Sequence, residues 1–88
     1  MKKPQVHLST DDAIILQQIS ETGEDDLANL SRSLRMHRSK VMASLESLRR
    51  KGLVTVQRTA GDWWVSLSAK GKQLSQYVWP ESSMQMVH

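Results

Sequence analysis

The sequence predicts a mainly helical α+β domain: three helices, a two-stranded hairpin and a closing helix, in that order. Three observations carry this. Apolar residues recur at helical spacing through three separately punctuated segments between Ser9 and Lys51. After Gly52 that period gives way to alternation, and two strand-like runs, 53–58 and 63–67, flank a turn built on Gly61 and Asp62. A last helical segment opens at Ser68 and ends at Pro80.

In chain order, residues 1–8 read as an N-terminal arm and 80–88 as a patternless, disordered tail, leaving 9–79 as one domain. The first helix is capped by Ser9 or Thr10 and carries Asp11 and Asp12 in its first turn, where the helix dipole favours acids. It stops at Gly23. Ile15, Leu16 and Ile19 form its core stripe. Ile14 projects off that stripe, either beneath the arm or into a dimer face. Glu24, Asp25 and Asp26 open a shorter second helix to about Leu34, with Leu27, Leu30 and Leu34 inward and Arg32 and Arg35 outward. The tight turn Arg35-Met36-His37 then leads to a third helix, with Met36 plugging the core. These two helices make a helix-turn-helix.

The third helix, 38–51, is the element on which a function would turn. Val41, Leu45 and Leu48 fall within an arc of about 60°. The opposite side carries Ser39, Lys40, Ala43, Ser47 and Arg50, with Glu46 at its edge, so it is small or basic. His37 occupies the N-cap position. Arg49 and Lys51 complement the dipole at the C-terminal end, and Gly52 supplies the left-handed stop. Arg38 and Lys40 sit in the first turn, where the dipole disfavours cations. That placement points to an anionic ligand, with ordinary surface exposure as the alternative.

In the hairpin, Trp63, Val65 and Leu67 face inward, while Trp64 and Ser66 face out beside Thr55 and Gln57. An outward Trp64 has three readings: a platform for Lys or Arg stems, a dimer contact, or a neighbour of a sugar-phosphate backbone. Ser68 caps the last helix, which presents Leu74, Tyr77 and Val78 on one side. Ile14, Tyr77 and Trp79 form either an apolar patch for self-association or intramolecular packing.

Eighty-eight residues support one small core, burying about 60% of the unfolded surface. The absence of cysteine excludes disulfides and thiolate metal sites. No secretory leader or membrane-length apolar run is present, which makes a soluble cytoplasmic protein the expectation. His7, His37 and His88 have no partners at metal-ligand or triad spacing, and no phosphate-binding glycine loop exists. Catalysis, metals and cofactors are therefore not expected, and the small core offers no evident small-molecule pocket outside a dimer interface. Charge is segregated: residues 31–58 hold eight bases against Glu46 alone, a net +7, whereas the acids cluster before Leu30. Such segregation suits a polyanion-facing surface or, more plainly, a solvated one.

The order of elements resembles that of a winged helix-turn-helix domain. The run from Leu27-Ala28 through Leu34-x-Met36-His37-Arg38-Ser39-Lys40-Val41, then Leu45, Leu48 and Gly52-Leu53-Val54, is similar to the second and third helices of winged-helix regulators. Leu67-Ser68-Ala69-Lys70-Gly71-Lys72-Gln73-Leu74 is similar to the segment that follows the hairpin in MarR-like families. This resemblance implies a transcriptional regulator that binds double-stranded DNA with the third helix in the major groove. Position by position, it implies Arg38, Ser39, Lys40, Ala43 and Ser47 near base edges. Arg32, Arg35, Arg50, Arg58 and Lys70 would meet the phosphate backbone. The wing tip carries no Arg or Lys, which argues against deep minor-groove insertion. The expected assembly is a nucleoid-associated homodimer built through the first helix, the last helix or the arm, with Ile14, Trp64, Tyr77 and Trp79 available to a second copy or a partner. The competing reading is a winged-helix protein-interaction module that binds no nucleic acid.

Overall fold

The structure is a computed structural model that describes residues 8–59 and 61–78. The arm through residue 7, the tail and Trp79 lie outside the described residues. Helix α1 spans Thr10–Thr22, strand β1 Glu24–Asp26, α2 Leu27–Leu34, α3 Arg38–Arg50, β2 Val54–Thr59, β3 Asp62–Leu67 and α4 Ala69–Val78. The predicted helices and hairpin are all present. α1 packs on α3 and α4, α2 packs on α3, and the sheet closes the remaining side. Ile15, Leu16, Ile19, Leu27, Leu30, Val41, Leu45, Leu48, Leu53 and Val65 are fully buried at the centre. Leu34, Met36, Trp63 and Leu67 pack half-buried around them.

Local chemistry sets the helix ends. Ser9 Oγ accepts the Asp12 amide at 3.1 Å, and the Gly23 amide returns to Ile19 O at 2.7 Å. At the end of α3, Gly52 takes φ 77°, its amide reaches Arg49 O at 2.9 Å, and the Leu53 amide reaches Leu48 O at 3.0 Å. This paired closure needs a left-handed residue, which glycine adopts without a Cβ penalty. α2 ends on Arg35 at φ 54°, a left-handed conformation that most non-glycine residues avoid. The Met36 amide then bonds Ser31 O at 3.0 Å.

One sequence expectation is corrected. Glu24, Asp25 and Asp26 do not begin the second helix; they form β1, antiparallel to β3, with Asp25 opposite Val65. The sheet therefore has the order β1-β3-β2, one strand more than the hairpin alone. The cause lies in capping. Asp26 is the N-cap of α2, its carboxylate accepting the Asn29 amide at 2.7 Å. An N-cap residue has extended backbone, so the chain before it runs straight along the open edge of β3. The other two acids are satisfied there. Asp25 accepts both bonds of the Asn29 side-chain amide nitrogen, at 2.8 and 2.9 Å, and Glu24 accepts the Trp64 indole N–H at 2.6 Å.

Candidate nucleic-acid interface

The third helix presents the surface that its periodicity predicts, with one exception. Val41, Leu45 and Leu48 are buried, while Arg38, Ser39, Lys40, Ala43 and Arg50 are exposed. Ser47 is the exception. Its hydroxyl donates to Asp12 Oδ2 at 3.0 Å and so turns towards α1 rather than outward. The sequence-based face places Ser47 opposite the core stripe, but α1 covers that flank of α3. Arg32 and Arg35 are exposed at the end of α2, and Lys70 is exposed in the first turn of α4.

Several of these cations meet carboxylates of the same chain. Arg38 Nη2 lies 3.4 Å from Asp62 Oδ1, and Lys40 Nζ lies 3.7 Å from Asp11 Oδ2. His37 gives no side-chain cap, and the first turn of α3 holds no acid of its own. The dipole-unfavourable cations are thus answered from α1 and the wing, by acids distant in sequence. Glu46 takes Arg49 and, at 3.9 Å, Arg58 of β2. The Arg49 hydrogen bond holds the Glu46 carboxyl below the usual range, its attraction adding to the charges of Arg58 and Arg50. The Arg58 guanidinium also lies 5.2 Å from the Trp63 ring centre. The cation platform of the wing is therefore Trp63, while exposed Trp64 is tied to Glu24.

Beneath this surface lies a polar cluster that joins α1 to α3. Asp12 is almost fully buried and receives Ser47 and, at 3.3 Å, Lys51 Nζ. Burial pushes its carboxyl pKa up, but hydrogen bonds from Ser47, Ser44 and Lys51 and the Lys51 charge outweigh that and hold it below its ordinary value. Sequence reasoning assigned Asp12 to the helix dipole and Asp62 to the turn, and missed their tertiary partners. No local pattern marks such partners; only the charge asymmetry between the first 30 residues and the basic segment hinted that the two halves meet.

This arrangement offers an exposed basic helix on a fully packed support, flanked by a wing, and suits the binding of an extended anion. The family model described as winged helix DNA-binding domain matches residues 8–71, most of the chain. The chain belongs to that family. Comparison with curated proteins returns no match. Among solved structures, this winged-helix domain is similar to Bordetella bronchiseptica BpsR, whose DNA binding is regulated by 6-hydroxynicotinic acid, with TM-score 0.76 and 19% identity over 97% of this chain and 62% of that one. It is likewise similar to a MarR protein from Peptoclostridium difficile, with TM-score 0.76 and 15% identity over 89% of this chain and 53% of the other. The third is reduced AbfR bound to DNA, with TM-score 0.75 and 19% identity over 88% and 56% respectively. The winged-helix domain thus spans only 53 to 62% of these three chains. The family is one of winged-helix DNA-binding domains, and the fold is that of these solved structures. Among the described residues, no helix is long and apolar enough to cross a membrane.

Proposed function

We propose that the domain is the reader of a sequence-specific transcriptional regulator, with α3 in the major groove of double-stranded DNA and the hairpin wing beside the backbone. One observation carries this reading: Ser39, Lys40, Ala43 and Arg50 share an exposed side of a helix that is buried along Val41, Ser44, Leu45 and Leu48, and Arg38 is exposed in its first turn. In this reading Arg38, Ser39, Lys40 and Ala43 approach base edges. Arg50, with Arg32, Arg35 and Lys70, meets phosphates; Arg58, braced by Glu46 and Trp63, does so from the wing. The expected assembly is a nucleoid-associated homodimer on a two-fold site. Ile14, Tyr77 and Trp64 are exposed apolar groups available to the second copy.

The test is a salt titration of binding to mixed-sequence duplex DNA by fluorescence anisotropy, with the oligomeric state measured alongside. A dimer neutralising about 6–8 phosphates gives a log–log slope of roughly −5 to −7. Lys40→Ala is expected to reduce discrimination at one base pair by about 1–3 kcal/mol, whereas Arg50→Ala weakens binding evenly across sequences. Equal effects of the two substitutions on unrelated duplexes would remove this division of roles. Absence of binding at low salt would favour the protein-interaction module instead.

Arg35 supplies a separate expectation. Its left-handed backbone costs about 1 kcal/mol that glycine avoids. Arg35→Gly is therefore expected to raise the urea midpoint while lowering DNA affinity, because the exposed guanidinium is lost. A variant that is both less stable and fully DNA-competent would refute both halves.

A further inference from the structure

We infer that Lys2 and Lys3 contact phosphates on the flank of α3 opposite the wing, which makes the N-terminal arm a second, basic border of the DNA-binding surface. The inference rests on the reading that α3 faces DNA. At 100° per residue, Ser39, Ala43 and Arg50 lie at the middle of the exposed side of α3. Arg38 and Glu46 fall on one flank of that side, and both meet the hairpin. Arg38 does so through Asp62 at 3.4 Å, and Glu46 through Arg58 at 3.9 Å. Lys40, Ser47 and Lys51 fall on the other flank, and all three meet the first turn of α1. Lys40 lies 3.7 Å from Asp11, while Ser47 and Lys51 lie 3.0 and 3.3 Å from Asp12. A duplex seated on α3 is therefore bordered by the wing on one side and by the start of α1 on the other.

The two borders differ in charge. The wing brings Arg58, whereas the first turn of α1 brings two carboxylates and no cation, and the Asp11 side chain is 37% exposed. Cations for this border come from the residues just before it: Lys2 and Lys3 precede α1, and no acid stands before Asp11. Their point of departure is fixed, because Leu8 packs half-buried on the core and Ser9 caps α1. From position 8 the chain reaches at most about 18 Å to position 3 and about 22 Å to position 2. Both distances exceed the roughly 12 Å width of a major groove, so both lysines can reach the backbone beside α3. A lysine is a point charge on a flexible stem, suited to phosphate and indifferent to the base behind it. Such contacts add affinity and salt dependence without adding sequence preference.

The experiment uses the full chain and two probes, sheared mixed-sequence duplex and a duplex enriched by the wild type from a random-sequence pool. Wild type is compared with the double variants Lys2→Ala/Lys3→Ala and Lys2→Arg/Lys3→Arg. The control is Lys72→Ala, which removes an exposed charge from α4. The alanine variant is expected to show a salt slope shallower by about 1.8 per bound copy, two contacts at about 0.9 each, and to bind about tenfold or more weaker at low salt. The loss should be equal on both duplexes, so their affinity ratio stays constant. The arginine variant and Lys72→Ala should both keep the wild-type slope. A wild-type slope in the alanine variant would overturn the inference and leave the proposed function standing. The same slope change in Lys72→Ala would make net charge, not position, the cause and would also overturn it. So would a loss confined to the enriched duplex, which would make the arm a base reader, or a changed oligomeric state in the alanine variant, which would assign the lysines to self-association. Wild-type protein that binds neither duplex would defeat the proposed function and this inference together.

Discussion

Gly71→Ala is expected to cost about 3 kcal/mol or more, enough to remove most of the stability of so small a domain. A Cβ built on Gly71 would stand 1.9 Å from Leu53 O and 2.9 Å from Leu53 C, both backbone atoms that no rotamer change can move aside. The approach is close because the start of α4 is bonded to the turn that ends α3. The Ser68 amide donates to Leu53 O at 3.0 Å, its hydroxyl donates to Gly52 O at 2.5 Å, and the Gly71 amide donates to Ser68 Oγ at 3.0 Å. Any retreat of Leu53 from a new methyl group would pull on all three bonds and on the paired closure at Gly52. Urea denaturation followed by tryptophan fluorescence checks this, with exposed Gln73→Ala as the neighbouring control. The control should shift the midpoint little. If the two substitutions cost the same, the steric explanation is wrong.

Within the segment Leu67-Ser68-Ala69-Lys70-Gly71, the serine and glycine are thus a docking joint for the turn after α3. More generally, what was legible in the sequence is what local chemistry decides. The Ser9 cap, the stripe Ile15-Leu16-Ile19, the seam Val41-Leu45-Leu48, the Gly52 stop and the alternation of the hairpin each depend on residues within a turn or a strand of one another. What was not legible depends on partners far along the chain. Three acids before Leu27 satisfy the rule for a helix start as well as they satisfy a strand, and only the edge of β3, some forty residues on, decides between the two. The outward side of α3 follows from periodicity alone, which places Ser39, Lys40, Ala43 and Arg50 on the surface. The same arithmetic misplaced Ser47, because the flank that α1 covers is set by helix packing and not by the spacing of leucines.

The second large effect concerns that covered flank. Asp12→Ala is expected to cost about 2–3 kcal/mol and, although Asp12 itself lies beneath the surface, to weaken DNA binding as well. Breaking a fully buried ion pair by removing one partner costs about 3–5 kcal/mol. Here the Lys51 side chain is 33% exposed, against 6% for Asp12, so the ammonium regains part of its hydration and the cost falls below that range. The hydroxyls of Ser47 and buried Ser44 still lose their acceptor. Asp12→Asn retains an oxygen of the same shape and should cost about half as much. The pH dependence follows with a definite sign. The folded carboxyl titrates below the unfolded one, so its contribution is complete above the unfolded value of about 4 and disappears as pH falls through the folded value. Wild-type stability should therefore decline below about pH 4 more steeply than that of Asp12→Asn, which has no carboxyl to protonate. Parallel pH profiles for the two proteins would exclude Asp12 as the group responsible. The predicted loss of DNA affinity has a structural origin: Ser47 and Lys51 are one turn apart at the C-terminal end of α3, and Asp12 is the point at which α1 fixes that end. Releasing it lets the helix that carries Arg38, Lys40 and Arg50 shift on its support. Affinity should then fall without a change in salt slope, since no phosphate contact is deleted. A steeper slope in Asp12→Ala would mean instead that Lys51, no longer held by Asp12, had added a phosphate contact.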